Sequence, residues 1–328
     1  MKRFLIPGLL ALCVVSGSIS LFAGDARITL ADLFALGESD PGLSSLILYE
    51  LRLPRTVLAL LIGAGLGASG AVLQGFFRNP LADPGVVGVS ASAGLGAVVA
   101  LYAGWSALFA FAVPVAAVIA AMIGAILLLL LAGPRASATT LVLAGVAVAA
   151  AATALTALLM NLAPNPWALA EIAYWLMGSL NDASWREVRF AAPLVLAGLV
   201  LLFLCRGGIE ALSLGEETAA SLGVDLRRLR SLMVAGTALA VGGGVAVAGA
   251  IGFVGLVVPH LLRGLVDHRP GALVLPSALG GAALLSLADT ATRLISGPGM
   301  PLYLGVLTAL IGAPFFLWLI RSLPRSAP

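Results

Sequence analysis

The sequence predicts an all-α polytopic membrane protein of about ten transmembrane helices, folded as a single transmembrane domain over residues 1–328. Three observations carry this. First, 61% of the residues are hydrophobic and only 10% are charged, where a soluble domain has about 45–50% and about 25%. Mean hydropathy is +1.10, more apolar surface than a chain of this length can hide from water. Second, apolar runs near the 20-residue spanning length recur along the whole chain. Third, glycine (39 residues) and alanine are abundant, and small residues let membrane helices approach closely.

Taken in order, the runs lie at residues 4–22, 56–77, 91–111, 114–132, 139–162, 190–205, 229–250, 252–265, 272–290 and 302–320. The first follows Lys2 and Arg3 and ends at Phe22-Ala23-Gly24, a pattern that resembles a secretory signal. It is expected to be retained as a span, because the many later spans need no separate signal. The eighth run is short and interrupted by Pro259. An even count puts both termini on one side. With that side cytoplasmic, twelve basic residues fall inside (Lys2, Arg3, Arg78, Arg135, Arg206, Arg227, Arg228, Arg230, Arg263, Arg269, Arg321, Arg325) and six outside (Arg27, Arg52, Arg55, Arg186, Arg189, Arg293), as the positive-inside bias requires. Trp105, Trp167 and Trp185 then fall near the outer interface.

Three connections are long. The outer loop 24–55 is polar and acidic, the outer segment 163–189 reads as short amphipathic helices, and the inner segment 206–230 is helical but broken at Gly215 and Gly223. Residues 67–88 and 241–264 echo each other: each is a glycine-rich span that breaks at a proline-containing turn, and the two run in opposite directions, as inverted repeats do. Cys13 and Cys205 lie inside apolar runs and read as buried thiols without a disulfide.

The net charge of +3 is too small to argue for nucleic acid. The spans are almost free of the ionisable groups by which secondary transporters bind coupling ions: Asp83 sits in an inner turn, Asp289 near the outer end of the ninth span, and His260 and His268 toward the inner face. Sodium sites built from backbone carbonyls remain compatible, which keeps an ion-coupled secondary transporter as the alternative class. The only lysine is Lys2, so the chain carries no P-loop. No catalytic or metal-binding cluster is visible, and the chain is expected not to be an enzyme. Arg52 and Arg55 flank Pro54 at the start of a span, where they oppose both the helix dipole and the positive-inside bias. Two local penalties call for an anionic partner.

Residues 52–90, RLPRTVLALLIGAGLGASGAVLQGFFRNPLADPGVVGVS, resemble the FecCD-type permeases, the membrane subunits of importers for cobalamin, ferric siderophores and haem. The match recurs at LVLAGV (141–146), YWLMGSL (174–180), LGEETAASLG (214–223), GAIGFVGLVVPHLLR (249–263) and GAPFF (312–316). The resemblance implies a homodimer with a path between subunits in the bacterial inner membrane, two ATPase subunits that hold ATP and Mg, and a periplasmic substrate-binding protein. The chain itself then needs no cofactor. It implies that Arg52, Arg55 and Arg293 pair with glutamates of the docked binding protein. It implies a coupling segment seated on the ATPase, with Leu214, Gly215, Glu216, Ala219, Leu222 and Gly223 as the contacts. It implies a cytoplasmic gate at Asn79 and Leu81, with Thr139 as the nearest match to a second layer, although Asn and Pro also suit a plain tight turn. The fifth and tenth spans are expected to line the path. For His260 a structural hydrogen bond is expected rather than haem ligation. Within this family an iron chelate is the expected cargo, with cobalamin as the alternative.

Overall fold

The computed structural model describes residues 2–24, 29, 42–134, 136–297 and 301–322. Much of the polar loop at 24–55 therefore lies outside the described residues, as do Arg27, Arg135 and Arg325. The described chain is helical throughout. Seven helices are long and apolar enough to cross a membrane, and three shorter apolar helices join them. Together they match the ten runs.

Helix α1 spans Lys2–Phe22. Helix α2 spans Leu43–Phe76 and starts earlier than its apolar run. Pro54 does stand in the first turn of the regular α-helix, but the chain is already helical before it, through a π-turn at Ile47–Arg52. Proline lacks an N–H and disrupts the preceding turn, and a π-turn absorbs such a defect. Helix α3, Val89–Tyr102, is shorter than its run, because Gly104 adopts φ 67° and ends it. Helices α4 (Ala112–Ala132) and α5 (Ala138–Asn161) follow, the second capped by Ser137.

The segment 163–189 forms one short helix, α6 (Pro166–Leu176), and then the start of α7 (Trp185–Leu204). A capping box fixes that start, with Ser184 and Glu187 each closing on the other's backbone. Two short helices, α8 (Arg206–Leu212) and α9 (Glu216–Ser221), precede α10 (Leu226–Ala248), which Asp225 caps. Helix α11 spans Val254–Leu262, α12 Pro270–Ile295 and α13 Leu304–Ser322.

One expectation needs correction here. Pro259 does not interrupt the eighth crossing: α11 runs straight through it, and the break lies earlier, at residues 249–253. Proline at position 259 leaves the carbonyl four residues back, on Gly255, without its helical donor. The side-chain Nε2 of Gln74 donates to that oxygen at 3.2 Å. A buried amide from α2 thus replaces the missing N–H and keeps the helix intact.

Burial separates a centre from a periphery. The spanning windows of α2, α10 and α12 are 78%, 72% and 61% buried, against 22–33% for α1, α4, α5 and α7. The central helices meet backbone to backbone. A methyl group added at Gly63 or Gly67 of α2 would collide with the carbonyl of Gly281 or Ser277 in α12, so only glycine permits this approach. The outer helices turn leucine, isoleucine and valine outward, among them Ile119, Ile123, Leu143 and Leu317, the surface that lipid solvates.

The ends of α1, α2, α11 and α12 alternate between two sides of the bundle. One end gathers the finish of α1, the start of α2 and the finish of α12 around one cavity. The opposite end gathers the finish of α2, the residue after α8, the finish of α11 and the start of α12 around another.

Candidate functional site

Two clusters of polar side chains stand at opposite ends of the bundle. At the first end, Asp289 of α12 is completely buried and is the one buried acidic residue among the described residues. Arg55 grips it with both arms: Nε lies 3.0 and 2.9 Å from the two carboxylate oxygens and Nη2 2.9 Å from the first. Arg293, one turn further along α12, places its Nε 3.6 Å from Asp289. The anion that Arg52 and Arg55 called for is therefore supplied, at least in part, by this chain itself.

The same arginines close the end of α1. A helix leaves its last carbonyls without donors, and cations there also favour the dipole. Arg293 Nη2 donates to the Ser20 carbonyl and hydroxyl, both at 2.9 Å, and Nη1 to the Ala23 carbonyl at 3.3 Å. Arg52 Nη1 donates to the Leu21 carbonyl at 2.9 Å. Arg55 and Arg293 share the Asp289 carboxylate, and Arg52 closes the end of α1 beside them. All three arginines line an open cavity of about 720 Å³, with Asn181 on its wall. The arrangement presents three guanidinium groups to the cavity while holding three helices together.

At the opposite end, α8 and α9 form the segment read as a coupling element. Gly215 and Gly223 adopt φ 107° and 86°, conformations that suit glycine, and they bracket α9. Leu214 and Leu222 stand 64% and 63% exposed on either side, while Ala219 between them is buried. Glu216 and Glu217 occupy the first turn of α9, where negative charge suits the dipole. The segment thus offers two bare leucines on a short rigid unit. It is anchored from behind: Glu210 of α8 accepts from Arg269 at 2.6 Å and from the Gly271 N–H at 2.8 Å, at the start of α12.

Asn79 and Leu81 lie in the turn after α2. The Asn79 side chain accepts from the Leu81 N–H at 2.9 Å, the backbone role its residue type allows. Thr139 stands exposed in the first turn of α5, and no hydrogen bond joins it to Asn79 or Leu81 among the described residues. What α5 does meet is the following short turn, where Gly88 packs against the Gly145 carbonyl. His260 departs from expectation. Its Nδ1 has no hydrogen-bond partner among the described residues, and its ring instead packs edge-on against Phe315 of α13, linking α11 to α13. Cys13 and Cys205 are free thiols.

Sequence reasoning missed Gln74, whose Oε1 also accepts from Arg263 of the turn after α11. It missed Arg230, which donates to the carbonyls of Gly133, Pro134 and Ala136 and so ties α10 to the α4–α5 turn. The signal for Gln74 was present: a lone amide in an apolar span, together with a proline in another, implies a polar debt to be met between helices.

Seven long and three shorter apolar helices, a glycine-packed centre and a cluster of polar groups at each end define a multi-pass α-helical membrane protein. The model of the FecCD transport family matches residues 12–322, and the chain belongs to that family. It is 41% identical over 314 residues to the vitamin B12 import system permease protein BtuC of Shigella boydii, covering 94% of this chain and 91% of that one. It is 40% identical over 321 residues to the BtuC of Salmonella paratyphi A, covering 96% and 94%. A solved structure described as an inward-facing conformation of a metal-chelate type ABC transporter superposes with a TM-score of 0.86, at 33% identity over 97% of this chain and 99% of that one. The chain is thus an ABC importer permease of the FecCD family, a multi-pass protein of the inner membrane.

Proposed function

We propose that this permease imports a cobalt corrinoid of the vitamin B12 type. The carrying observation is the identity of 40–41% over nearly the full length with relatives named as vitamin B12 import permeases. An iron chelate, the cargo favoured on family membership alone, has no comparable observation behind it. In this reading the arginine end faces outward and receives the binding protein, and Arg52, Arg55 and Arg293, which line the cavity there, meet its acidic side chains. The opposite end is cytoplasmic, together with both termini. Leu214 and Leu222 enter a cleft of the ATPase, where Gly215 and Gly223 hold the turns that present them. Asn79, Leu81 and Thr139 close the path on that side. Two copies of the chain form the path between the exposed faces of α5 and α13, with lipid around the remainder. Chemistry is confined to ATP and Mg on the partner subunits, and this chain moves its cargo unchanged.

The test is uptake into proteoliposomes holding the complete complex, supplied in turn with radiolabelled cyanocobalamin, a ferric hydroxamate and haem. ATP-dependent accumulation of the corrinoid, with the iron chelates neither accumulating nor competing, is the expected result. Accumulation of an iron chelate alone would overturn the assignment.

A further inference from the structure

At the end that carries the coupling segment, a cavity of about 280 Å³ opens beside Ser213. Its floor is buried and includes Gln74, while its rim residues Arg78, Ser213 and His268 are exposed. Arg263 reaches in from the turn after α11. Gln74 holds it there, accepting from Arg263 with Oε1 while its own Nε2 is fixed on the Gly255 carbonyl. The basic side of the cavity is thus built on a buried amide rather than on a free surface chain. Arg78 and His268 are held in the left-handed region, at φ 49° and 59°, a conformation that non-glycine residues keep only where the surroundings fix it.

The charge is not balanced. Arg269, at the same end, is paired with Glu210 at 2.6 Å. Arg78, Arg263 and His268 have no carboxylate within ion-pair distance among the described residues. Ser213, on the rim, directly precedes Leu214, the first exposed leucine of the coupling segment. A protein seated on Leu214 therefore also covers the cavity mouth. Covering the Arg78 and Arg263 guanidinium groups removes water from them, which is costly unless an anion is brought in.

We propose that this cavity is a second contact for the ATPase subunit, and that it takes a carboxylate side chain of that partner between Arg78, Arg263 and His268. The proposal rests on the importer reading above. It adds an electrostatic contact to the apolar one made by Leu214 and Leu222. Such a contact weakens with salt and fixes the orientation of docking.

The test uses the complex drawn from its native membrane by a tag on this chain, with the recovered ATPase measured as salt is raised from low to high. The reversal Arg78→Asp with His268→Asp keeps residues that tolerate left-handed backbone. It should lower ATPase recovery at least tenfold at low salt, and Arg78→Asn alone should flatten the salt dependence. Arg321→Glu, an exposed arginine on α13, should change neither. Thermal unfolding of each variant chain checks that it is folded; if the double variant is not, the Arg78→Asn salt profile decides. Unchanged recovery across the salt range in the reversed or neutral variant overturns the proposal. Recovery of no ATPase with the wild-type chain would instead bring down the importer reading, and the proposal with it. A thermal shift of the isolated chain by inorganic phosphate, lost in Arg78→Asp/His268→Asp, would make this a site for free anions and overturn the partner assignment.

Discussion

Replacing Asp289 by asparagine removes one negative charge and little else in shape. Asp289 is fully buried, accepts both arms of Arg55 and lies 3.6 Å from Arg293. Removing one partner of a buried ion pair costs about 3–5 kcal/mol, because the other charge is left uncompensated. The Arg55 and Arg293 side chains remain 13% and 15% exposed to the cavity, so water recovers some of that loss. The expected cost is about 3 kcal/mol, roughly a hundredfold in the folding equilibrium. The loss should show first at α1, which is little buried and whose last carbonyls Arg52 and Arg293 hold. Cys13, half-buried on α1 with its thiol donating to the Leu279 carbonyl of α12, reports on that contact, while Cys205 is buried and silent. Thermal unfolding in mild detergent and the rate of maleimide labelling at Cys13 are the assays. Asp289→Asn should unfold several degrees lower and label several-fold faster; Asp289→Glu, which keeps the charge, should lie between it and wild type. If Asp289→Asn matches wild type in both assays, the arginines are sustained by solvent or lipid phosphate rather than by this carboxylate, and the clasp does not exist as described.

Gln74→Leu keeps the volume but leaves the Gly255 carbonyl and Arg263 without their amide. A buried polar group so stranded costs about 1–3 kcal/mol, and hydrogen exchange in α11 should rise more than in α10. Gly67→Ala sets a methyl against the Ser277 carbonyl; with backbone on both sides the helices must part, and the yield of folded protein should collapse, while Gly207→Ala, which meets nothing within 4 Å, should be silent.

The crossings are legible in the sequence because the bilayer imposes them. Each crossing must satisfy its own backbone hydrogen bonds, so an apolar run of spanning length becomes a helix whatever it packs against. Their ends were less legible. Gly104 stops α3 early, a π-turn carries α2 back beyond Pro54, and Gln74 carries α11 through Pro259. Short signals within the run do not reveal whether a neighbour will repair a defect. The breaks in the inner segment 206–230 were visible as two glycines flanking an acidic turn, since left-handed backbone is a local demand.

The pairings were decided only by the tertiary structure. Arg55 and Asp289 stand 234 positions apart, and the local sequence showed only that the arginine calls for an anion. That Arg55 meets Asp289, that Arg293 and Arg52 close α1, and that Arg78, Arg263 and His268 share one cavity all depend on which helices lie side by side. Hydropathy cannot specify this, because lipid and neighbouring helix are equally apolar. In this chain the choice of neighbour is made by close backbone contact at Gly63, Gly67 and Gly281, and by the few polar groups that must find one another between helices.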